Sequence, residues 1–538
     1  MRAIRPRVYF MKKISKDSPA ADEAGAFKSL ARGSSVVLAS LMLSKVITGL
    51  NTWVIARASP ELLGEFAVGS AFLALAFLPE LGFPAGLVRL IPEYAFKRDL
   101  KKVKELAGVA LKASFVSSLI FCVALFAASD WIAARFFVSY TSMAVVLKVF
   151  AFGIFFLSFV EVLAAIMHGF KRVELEAYLR SLAENLLRLG AVVAAVFFGF
   201  GVVGLSLAYV AAELVAAVFG LWLVNRYVLP LKQVFSSANL KGAVAGRLFY
   251  FSAPILFAQT FATALGAAGT LFLGHFRTPV ETGIYAAASA LVMLTLLAPS
   301  VIANLSLQVM VEQHAQGNRK TVEKIYASVC KWIFFANLPL VLFFSIFASR
   351  IMEIFGSEFS AGAQTLVVLS AGYLVYSVGM PAVNALSVFD KPRLVLVNSI
   401  AAALSAVLLC FLLVPTYGMF GAGFAYVFAL SLSVIMAQIE IFFLQKMQPY
   451  SFEFVKASVA ACVALGLAYF GFRLADQYYL LALVLAAAVA AVLYTAFLFF
   501  LRAFDEKDIL LLKVAERKFG VAKLAPLREL AKKYYFRK

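Results

Sequence analysis

The chain repeats itself at a nearly constant separation. One set of residues recurs 219 positions later (279 − 60): Pro60, Gly64, Phe66, Ala67, Ser70 and Ala71 correspond to Pro279, Gly283, Tyr285, Ala286, Ser289 and Ala290. A second set recurs after 217 positions (418 − 201): Gly201, Gly204, Ala208, Tyr209 and Val210 correspond to Gly418, Gly421, Ala425, Tyr426 and Val427. An internal duplication of this length predicts a fold with two similar halves.

The apolar residues fall in long blocks, and these blocks indicate that both halves of the fold lie in a membrane. Hydrophobic residues make up 63% of the chain and the mean hydropathy is +0.91, whereas soluble domains are roughly 45–50% apolar. We therefore predict an all-α integral membrane protein. Fourteen transmembrane helices are expected, near 34–57, 65–90, 106–128, 143–168, 176–199, 203–227, 249–275, 283–310, 327–349, 360–386, 393–415, 419–445, 453–474 and 478–503.

The position of the repeats sets the domain organisation. Six predicted spans separate the two Pro-x-x-x-Gly copies, and an even number returns the chain to the same side, so the repeats are parallel. The predicted domains are a basic cytoplasmic segment 1–33, an N-lobe 34–227 (helices 1–6), a linker 228–248, a C-lobe 249–446 (helices 7–12), two extra helices in 447–503, and a basic cytoplasmic tail 504–538.

Charge outside the spans predicts orientation and partners. Lys and Arg cluster before the first span and at 97–104, whereas the intervening loops hold about one each, so both termini are expected in the cytoplasm of a multi-pass cell-membrane protein. The net charge of +20 then reflects topology and attraction to anionic lipids of the cytoplasmic leaflet, not nucleic-acid binding. Four separated Cys and three scattered His indicate no metal site and no cofactor.

Charged residues deep in the spans are the candidate functional groups, because each is costly in a bilayer unless it is paired or hydrated. Lys45, Arg188 and Glu213 fall near mid-depth, and Glu80 and Glu161 lie toward the cytoplasmic half. The corresponding C-lobe spans offer mainly Asn, Gln and Tyr. We therefore expect the N-lobe to handle any ionic group in transit.

One predicted span carries four charges at intervals of four residues. They are Glu176, Arg180, Glu184 and Arg188, and this spacing stacks them on one helical face with alternating sign. One interpretation is a self-neutralising ladder of ion pairs packed against neighbouring helices. The other, compatible with it, is the wall of a water-filled cavity in which Arg180 and Arg188 bind a phosphate-bearing substrate.

The remaining candidates also have two interpretations each. Lys45 is either a cavity cation that attracts pyrophosphate or a buried partner of Glu80 or Glu161. Glu161 and Glu213 are candidates for coupling to an ion or a proton. Pro79 and Pro84 flank Glu80 and interrupt backbone hydrogen bonds, so this stretch is a predicted bend with a gating role.

Several motifs resemble those of a known family. The opening carries Trp53-Val54-Ile55-Ala56-Arg57, Pro60, Gly64-Glu65-Phe66, Glu80-Leu81-Gly82 and Leu87-Val88-Arg89, and the second half carries Phe355-Gly356-Ser357-Glu358-Phe359, Gly418, Gly421-Ala422 and Ala425. In this order, across about 30–505, they resemble prokaryotic polysaccharide-biosynthesis flippases of the multidrug/oligosaccharidyl-lipid/polysaccharide exporter superfamily. Many relatives have an Asp in the seventh span, where this chain has Ala268-Gly269-Thr270.

The resemblance implies a function. It implies two six-helix lobes that move a polyprenyl-(pyro)phosphate-linked oligosaccharide from the cytoplasmic to the outer leaflet by alternating access, for glycan or surface-polysaccharide assembly. Glycosyltransferases of the same pathway are possible partners. The alternative is an exporter of drugs or metabolites coupled to sodium ions or protons. A membrane glycosyltransferase would need a constellation of acid, base or metal-binding groups in a large loop outside the membrane, and the longest loops lack such a constellation, so we do not expect an enzyme.

Overall fold

A computed structural model describes residues 42–240, 242–474, 479–501 and 503, without the side chains of 181–183, 471, 473–474 and 479–480. The predicted basic segments 1–33 and 504–538, and the start of the first predicted span, lie outside the described residues. Within the described residues every regular element is helical. The predicted all-α class is therefore confirmed.

The helices are long and follow one another with short connections. From the N-terminal side they are α1 (42–58), α2 (Pro60–Leu73), α3 (Phe83–Phe96), α4 (Leu100–Phe136), α5 (Met143–Gly169), α6 (Val173–Ala177), α7 (Leu187–Phe197), α8 (Gly201–Leu223), α9 (Leu231–Ser237) and α10 (Ala243–Phe276). They continue as α11 (Pro279–Met293), α12 (Leu297–Ala315), α13 (Arg319–Ile346), α14 (Ala348–Met352), α15 (Ala363–Val388), α16 (Pro392–Gln445), α17 (Phe452–Leu474) and α18 (Tyr479–Phe500). A π-helix, Tyr178–Leu186, joins α6 to α7.

Eleven helices in the described part of the chain are long and apolar enough to cross a membrane. Three of the fourteen predicted spans are not among them as separate helices. The α1 helix spans only 42–58 in the described residues, and the charged run from α6 to α7 does not qualify. The α16 helix contains two predicted spans, and its backbone leaves helical geometry between them at Gly418, where φ is 53° and ψ is −133°.

The described residues form two compact units that divide after Ala286. The predicted boundary between linker and C-lobe lay at 248/249. The α10 helix belongs to the first unit because it packs against α2, α3 and α4. Within that unit α5 is the central helix, in contact with α2, α3, α4 and α8, which explains why it is apolar on all sides.

The duplication is also visible in the backbone geometry, at positions where the residue types of the two copies differ. Arg98 (φ 55°) and Gly317 (φ 75°) are both left-handed and 219 positions apart (317 − 98). Lys171 (φ 57°) and Asp390 (φ 55°) have the same separation (390 − 171). Both pairs lie just after helix C-termini, where a left-handed residue lets the chain reverse. The two halves therefore end corresponding helices in the same way, although the residues differ.

The two Pro-x-x-x-Gly copies meet each other inside the first unit. A Cβ atom on Gly64 would lie 1.8 Å from the carbonyl oxygen of Pro279, and one on Gly283 would lie 1.9 Å from that of Pro60. The contact is reciprocal, as expected where two copies of one motif cross near a twofold axis. Only glycine allows the α2 and α11 backbones to approach this closely.

Candidate functional site

Two helices bring the first charged pair together. Glu161 lies on α5. Arg180 lies on the π-helix, which α5 reaches through a turn and the short helix α6. Both guanidinium Nη atoms of Arg180 donate to the Glu161 carboxylate, at 2.7 and 2.8 Å. This two-bond geometry is the strongest form of arginine–carboxylate pairing. Arg180 Nε also lies 3.4 Å from Glu176, one step earlier on the ladder.

The second arginine has a similar set of partners. Arg188 on α7 lies 2.9 Å from Glu184, its neighbour on the ladder, and also pairs with Glu213 on α8. Its guanidinium sits over the Tyr209 ring, 4.8 Å from the centroid. The ladder of ion pairs predicted from the four-residue spacing is thus present, and each arginine has gained a carboxylate from a neighbouring helix.

A π-helix carries the middle of the ladder. It is nine residues long, and such segments are rare and often occur at functional sites. The Asn185 side chain donates to the Arg180 carbonyl at 2.7 Å and to the Ser44 hydroxyl at 2.8 Å. Asn185 therefore links the π-helix to α1. Neither Asn185 nor Tyr209 is among the predicted site residues, because neither is charged.

Exposure changes along the cluster. The side chains of Arg180 and Glu161 are 33% and 26% exposed, whereas those of Arg188 and Glu213 are 12% and 0% exposed. One end of the cluster is thus open and the other is enclosed. At the enclosed end one carboxylate oxygen of Glu184 and one of Glu213 are buried without a hydrogen-bond partner. Such oxygens are costly to leave unsatisfied.

The charge balance of the cluster follows from its members. Four carboxylates, those of Glu161, Glu176, Glu184 and Glu213, surround two guanidinium groups. His168 also belongs to the cluster, since its Nδ1 lies 2.7 Å from Glu176. The three histidines are far apart in the sequence, so this contact could not be predicted from it. With every carboxylate ionised and His168 neutral, this cluster is acidic. The two arginines therefore do not give this cluster a net positive charge, and their role in binding a substrate stays a prediction.

Lys45 lies apart from these pairs. It is exposed on α1, and among the described residues no carboxylate forms an ion pair with it. The interpretation of Lys45 as a buried partner of Glu80 or Glu161 is therefore wrong. Glu161 is occupied by Arg180, and Lys45 is the one member of the predicted substrate-binding set that remains exposed.

The stretch with two prolines interrupts the helical path between α2 and α3. Leu81 and Gly82 have φ of 55° and 69°, and α3 begins directly after them. Glu80 is 6% exposed, and the Ser117 hydroxyl donates to the carbonyl of Pro79. A Cβ at Gly82 would lie 2.6 Å from the Ser252 carbonyl oxygen, so α10 packs directly on this turn. The chain therefore bends where Pro79 and Pro84 predicted, and the gating role stays a prediction.

The second unit contains mainly neutral polar contacts at its buried positions. Asn337 donates to the Ser377 hydroxyl at 2.8 Å, and Asn398 donates to Glu440 at 2.8 Å. In the part of the chain that the structure describes, no group of three His, Cys, Asp or Glu side chains could hold a metal ion. The charged cluster of the first unit is therefore the most distinctive candidate site.

Comparison with known proteins gives the chain its context. The sequence profile of a family described as "Polysaccharide biosynthesis protein" matches residues 30–311. A search of curated proteins finds no match.

Solved structures share the fold. A multidrug resistance MATE family transporter of the MOP superfamily, inward-facing, has a TM-score of 0.65 at 16% identity and covers 75% of this chain and 96% of its own. The lipid II flippase MurJ, in an inward closed conformation, has a TM-score of 0.66 at 13% identity, with 86% and 99% covered. A MOP superfamily transporter from Pyrococcus furiosus has a TM-score of 0.55 at 17% identity, with 77% and 94% covered. At these identities the likeness shows the fold.

Proposed function

Because the chain belongs to the polysaccharide biosynthesis protein family, we propose that it is a flippase for a lipid-linked oligosaccharide. It moves a polyprenyl-(pyro)phosphate-linked glycan from the cytoplasmic to the outer leaflet by alternating access, for glycan or surface-polysaccharide assembly. The shared fold with a lipid II flippase supports this choice of cargo. The activity is transport and not catalysis.

The observation that carries the proposal is the ion cluster built from α5 to α8. Charges within membrane helices are costly unless they face protein or water. Arg180 and Glu161 are paired but still a quarter to a third exposed, so lipid cannot cover them. We infer that this end of the cluster lines a hydrated cavity, which the glycan-phosphate head of the cargo enters while its polyprenyl tail stays in the bilayer.

The pairing suggests how cargo and coupling are linked. In the structure Arg180 and Arg188 form ion pairs with Glu161 and Glu213. A phosphate competes with these carboxylates for the same guanidinium groups, which form two-bond contacts with either. Protonation of Glu161 and Glu213 would remove one of the two carboxylate partners of each arginine and leave Glu176 and Glu184 as the other, so that each guanidinium group gains room for the phosphate. In this proposal Arg180 and Arg188 bind the phosphate, and the two glutamates couple its binding to proton uptake.

Lys45 and the bend between α2 and α3 complete the proposed route. Lys45, exposed on α1, attracts the pyrophosphate before it reaches the arginines. The bend formed by Pro79, Glu80 and Pro84 acts as a gate, because α2 and α3 can change their angle at a turn without breaking regular helical bonds.

The orientation belongs to the same proposal. We place both termini in the cytoplasm of a cell-membrane protein, with anionic lipids of the cytoplasmic leaflet and pathway glycosyltransferases as partners. Single cysteines at Lys97 and Asp130, in a variant without native cysteines, test the orientation with an impermeant maleimide added to intact cells. Asp130 should react and Lys97 should not. The reverse result would contradict the proposed topology.

Reconstitution tests the transport itself. Proteoliposomes receive a fluorescent polyprenyl-pyrophosphate oligosaccharide in one leaflet, and an impermeant glycosidase reports its appearance in the other. Arg188→Gln/Glu213→Gln removes a cation without leaving Glu213 unpaired, and Lys45→Gln removes the exposed cation. Each variant should flip about tenfold more slowly or worse, since a hydrogen bond to a charged group is worth about 1.5–3 kcal/mol.

The matched control is Arg57→Gln, which removes an exposed cation from the other end of α1. It should flip at the wild-type rate. If all three variants match wild type, the proposed binding residues are wrong. If wild-type protein moves no labelled lipid, the flippase proposal itself is wrong.

The second candidate is an exporter of drugs or metabolites coupled to sodium ions or protons. The excess of carboxylates favours it, because Glu184 and Glu213 each leave a buried oxygen that a cation or proton could satisfy. Efflux of a lipophilic cation from proteoliposomes under an imposed pH or sodium gradient distinguishes this candidate. Such efflux, lost in Glu213→Gln and without lipid flipping, would favour the exporter.

A further inference from the structure

A cavity outside the ion cluster opens between the ends of two helices in the first unit. Its volume is about 510 Å³, and it lies where α3 and α5 end. We propose that this side of the protein is cytoplasmic. The lining residues are Pro92, Glu93, Ala95, Phe96, Lys97, Gly169, Phe170 and Lys171.

The cavity is built from two copies of one tripeptide. Phe96-Lys97-Arg98 begins at the last residue of α3, and Phe170-Lys171-Arg172 begins just after the last residue of α5, so the two tripeptides lie one position apart relative to the helix ends. Both copies close the helix in the same way: the Asp99 amide donates to the Tyr94 carbonyl at 3.0 Å, and the Arg172 amide donates to the Met167 carbonyl at 2.9 Å. Arg98 and Lys171 are left-handed in these turns, where glycine is favoured, as at Gly317 in the second half. The basic side chains are thus present where the backbone alone would select glycine.

The two lysines that line the cavity are available to an anion. The side chain of Lys97 is 60% exposed and its only described carboxylate partner is Glu93, at 2.9 Å. Both oxygens of Glu93 are also bound by Arg247, at 3.0 and 2.8 Å, and Lys97 and Arg247 together lower the pKa of this carboxyl. Glu93 is therefore already neutralised without Lys97. Lys171 is exposed and pairs with no described carboxylate.

The aromatic residues indicate that the ligand resides in the membrane. Phe96 is 88% exposed at the end of α3, beside the two lysines. An exposed phenylalanine next to lysines suits the boundary between the headgroups and the acyl chains of a bilayer, where apolar side chains enter the membrane and cations meet anionic lipids. A soluble anion would gain nothing from Phe96, whereas a lipid presents acyl chain to the ring and phosphate to the lysines.

The second half lacks the same groups. At the corresponding positions, 219 residues later, the second half has Gln316 in place of Lys97 (316 − 97) and Asp390 in place of Lys171 (390 − 171). The turns are retained there, since Gly317 and Asp390 are also left-handed. The backbone framework is thus duplicated, and the pair of lysines occurs in one copy.

The geometry points to a binding site for the phosphate headgroup of an anionic phospholipid. Lys97 and Lys171 bind the phosphate, and Phe96 and Phe170 pack against the glycerol and upper acyl chains. The lipid comes from the leaflet that we propose to be cytoplasmic. The site is separate from the ion cluster and does not depend on the proposed cargo.

Native mass spectrometry of the full chain tests the site. Delipidated protein in detergent is titrated with phosphatidylglycerol or phosphatidylcholine, and the occupancy of bound lipid is read directly. Phosphatidylglycerol should bind wild type more tightly. Lys97→Gln/Lys171→Gln should weaken phosphatidylglycerol binding about 10- to 30-fold, since each lysine near an anionic surface contributes roughly 1 kcal/mol. Lys97→Arg/Lys171→Arg should restore binding to within a few-fold of wild type.

The control pair is Lys320→Gln/Lys391→Gln, which removes two exposed lysines from the second unit and should leave the affinity unchanged. An equal loss in this pair would show non-specific charge attraction and overturn the site. Equal binding of phosphatidylcholine would do the same. Displacement of phosphatidylglycerol by glycerol phosphate would assign the cavity to a soluble anion, and displacement by substoichiometric polyprenyl pyrophosphate would assign it to the cargo. Either displacement would overturn the proposal that the cavity binds a phospholipid.

Discussion

The reciprocal contact of Gly64 and Gly283 gives the sharpest prediction for the fold. In Gly64→Ala the new Cβ would meet the carbonyl oxygen and carbon of Pro279 at 1.8 and 2.7 Å and the amide nitrogen of Gly283 at 2.9 Å. All three atoms are backbone, so no side chain can turn away. The α2 and α11 helices must therefore separate by about 1.2 Å (3.0 − 1.8) before the methyl group fits.

That separation determines how much unfolding free energy the substitution costs. Overpacking of a close contact typically costs about 1–3 kcal/mol, and a clash with backbone on both helices belongs at the upper end. We expect Gly64→Ala and Gly283→Ala each to lose about 3 kcal/mol of unfolding free energy, on the order of 10 °C in Tm for a unit of this size. One separation accommodates both methyl groups. The double variant should therefore lose clearly less than the sum of the two.

Thermal unfolding in detergent, followed by circular dichroism, measures these effects. The control is Gly266→Ala in α10, which has no heavy atom within 4 Å of the new Cβ. It should be neutral or slightly stabilising, since alanine is the better helix former by about 1 kcal/mol. Losses in Gly64→Ala no larger than in Gly266→Ala, or strict additivity in the double variant, would refute the reciprocal crossing.

Three further predictions follow from single contacts. Arg188→Ala leaves buried carboxylates unpaired and should cost about 3–5 kcal/mol of unfolding free energy. Adding Glu213→Gln should recover part of this loss in thermal unfolding. Equal stability of the single and double variants would contradict the pairing. Gly418→Ala should cost about 1–3 kcal/mol by thermal unfolding, because φ of 53° with ψ of −133° is unfavourable for alanine; an unchanged Tm would contradict this. The lowered pKa of Glu93 means that its contacts stabilise the fold above the ordinary value of 4.5 and are lost as the pH falls below it. The Tm difference between wild type and Glu93→Gln should therefore shrink between about pH 6 and pH 3, and a constant difference would show that the pairing with Arg247 contributes nothing.

The helices were predictable because length and apolar composition determine them almost alone. The predicted spans 143–168 and 203–227 compare with Met143–Gly169 and Gly201–Leu223 in the structure. The predicted break between 415 and 419 coincides with the non-helical backbone of Gly418. A bilayer requires every backbone group in a span to be satisfied within the helix, so the sequence has few alternatives to consider.

The partners of the charged residues were less predictable, because they depend on the rotation of each helix about its axis. Lys45 lies on a helix that also carries Ser44, Thr48, Asn51 and Thr52, so the sequence does not indicate which face of the helix meets protein. Arg180 could be assigned a partner on its own helix from the four-residue spacing, but its two-bond partner, Glu161, comes from α5. The π-helix was also beyond prediction, since Asn185 stabilises it through Ser44 on α1. Such contacts arise from tertiary packing and leave no local pattern.

The pairing of Arg180 and Arg188 constrains any model of transport through this site. An anionic head can reach these arginines only by displacing carboxylates, and Glu213, which is 0% exposed, cannot be left charged and unpaired without a large penalty. Displacement must therefore be accompanied by protonation of the glutamate or by a replacement cation. It follows that binding of a phosphate-bearing cargo here requires uptake of positive charge, so that substrate affinity should rise as the pH falls or as the concentration of the replacement cation rises. An affinity for the labelled lipid that depends on neither the pH nor the concentration of sodium ions would mean that the cargo does not reach these arginines.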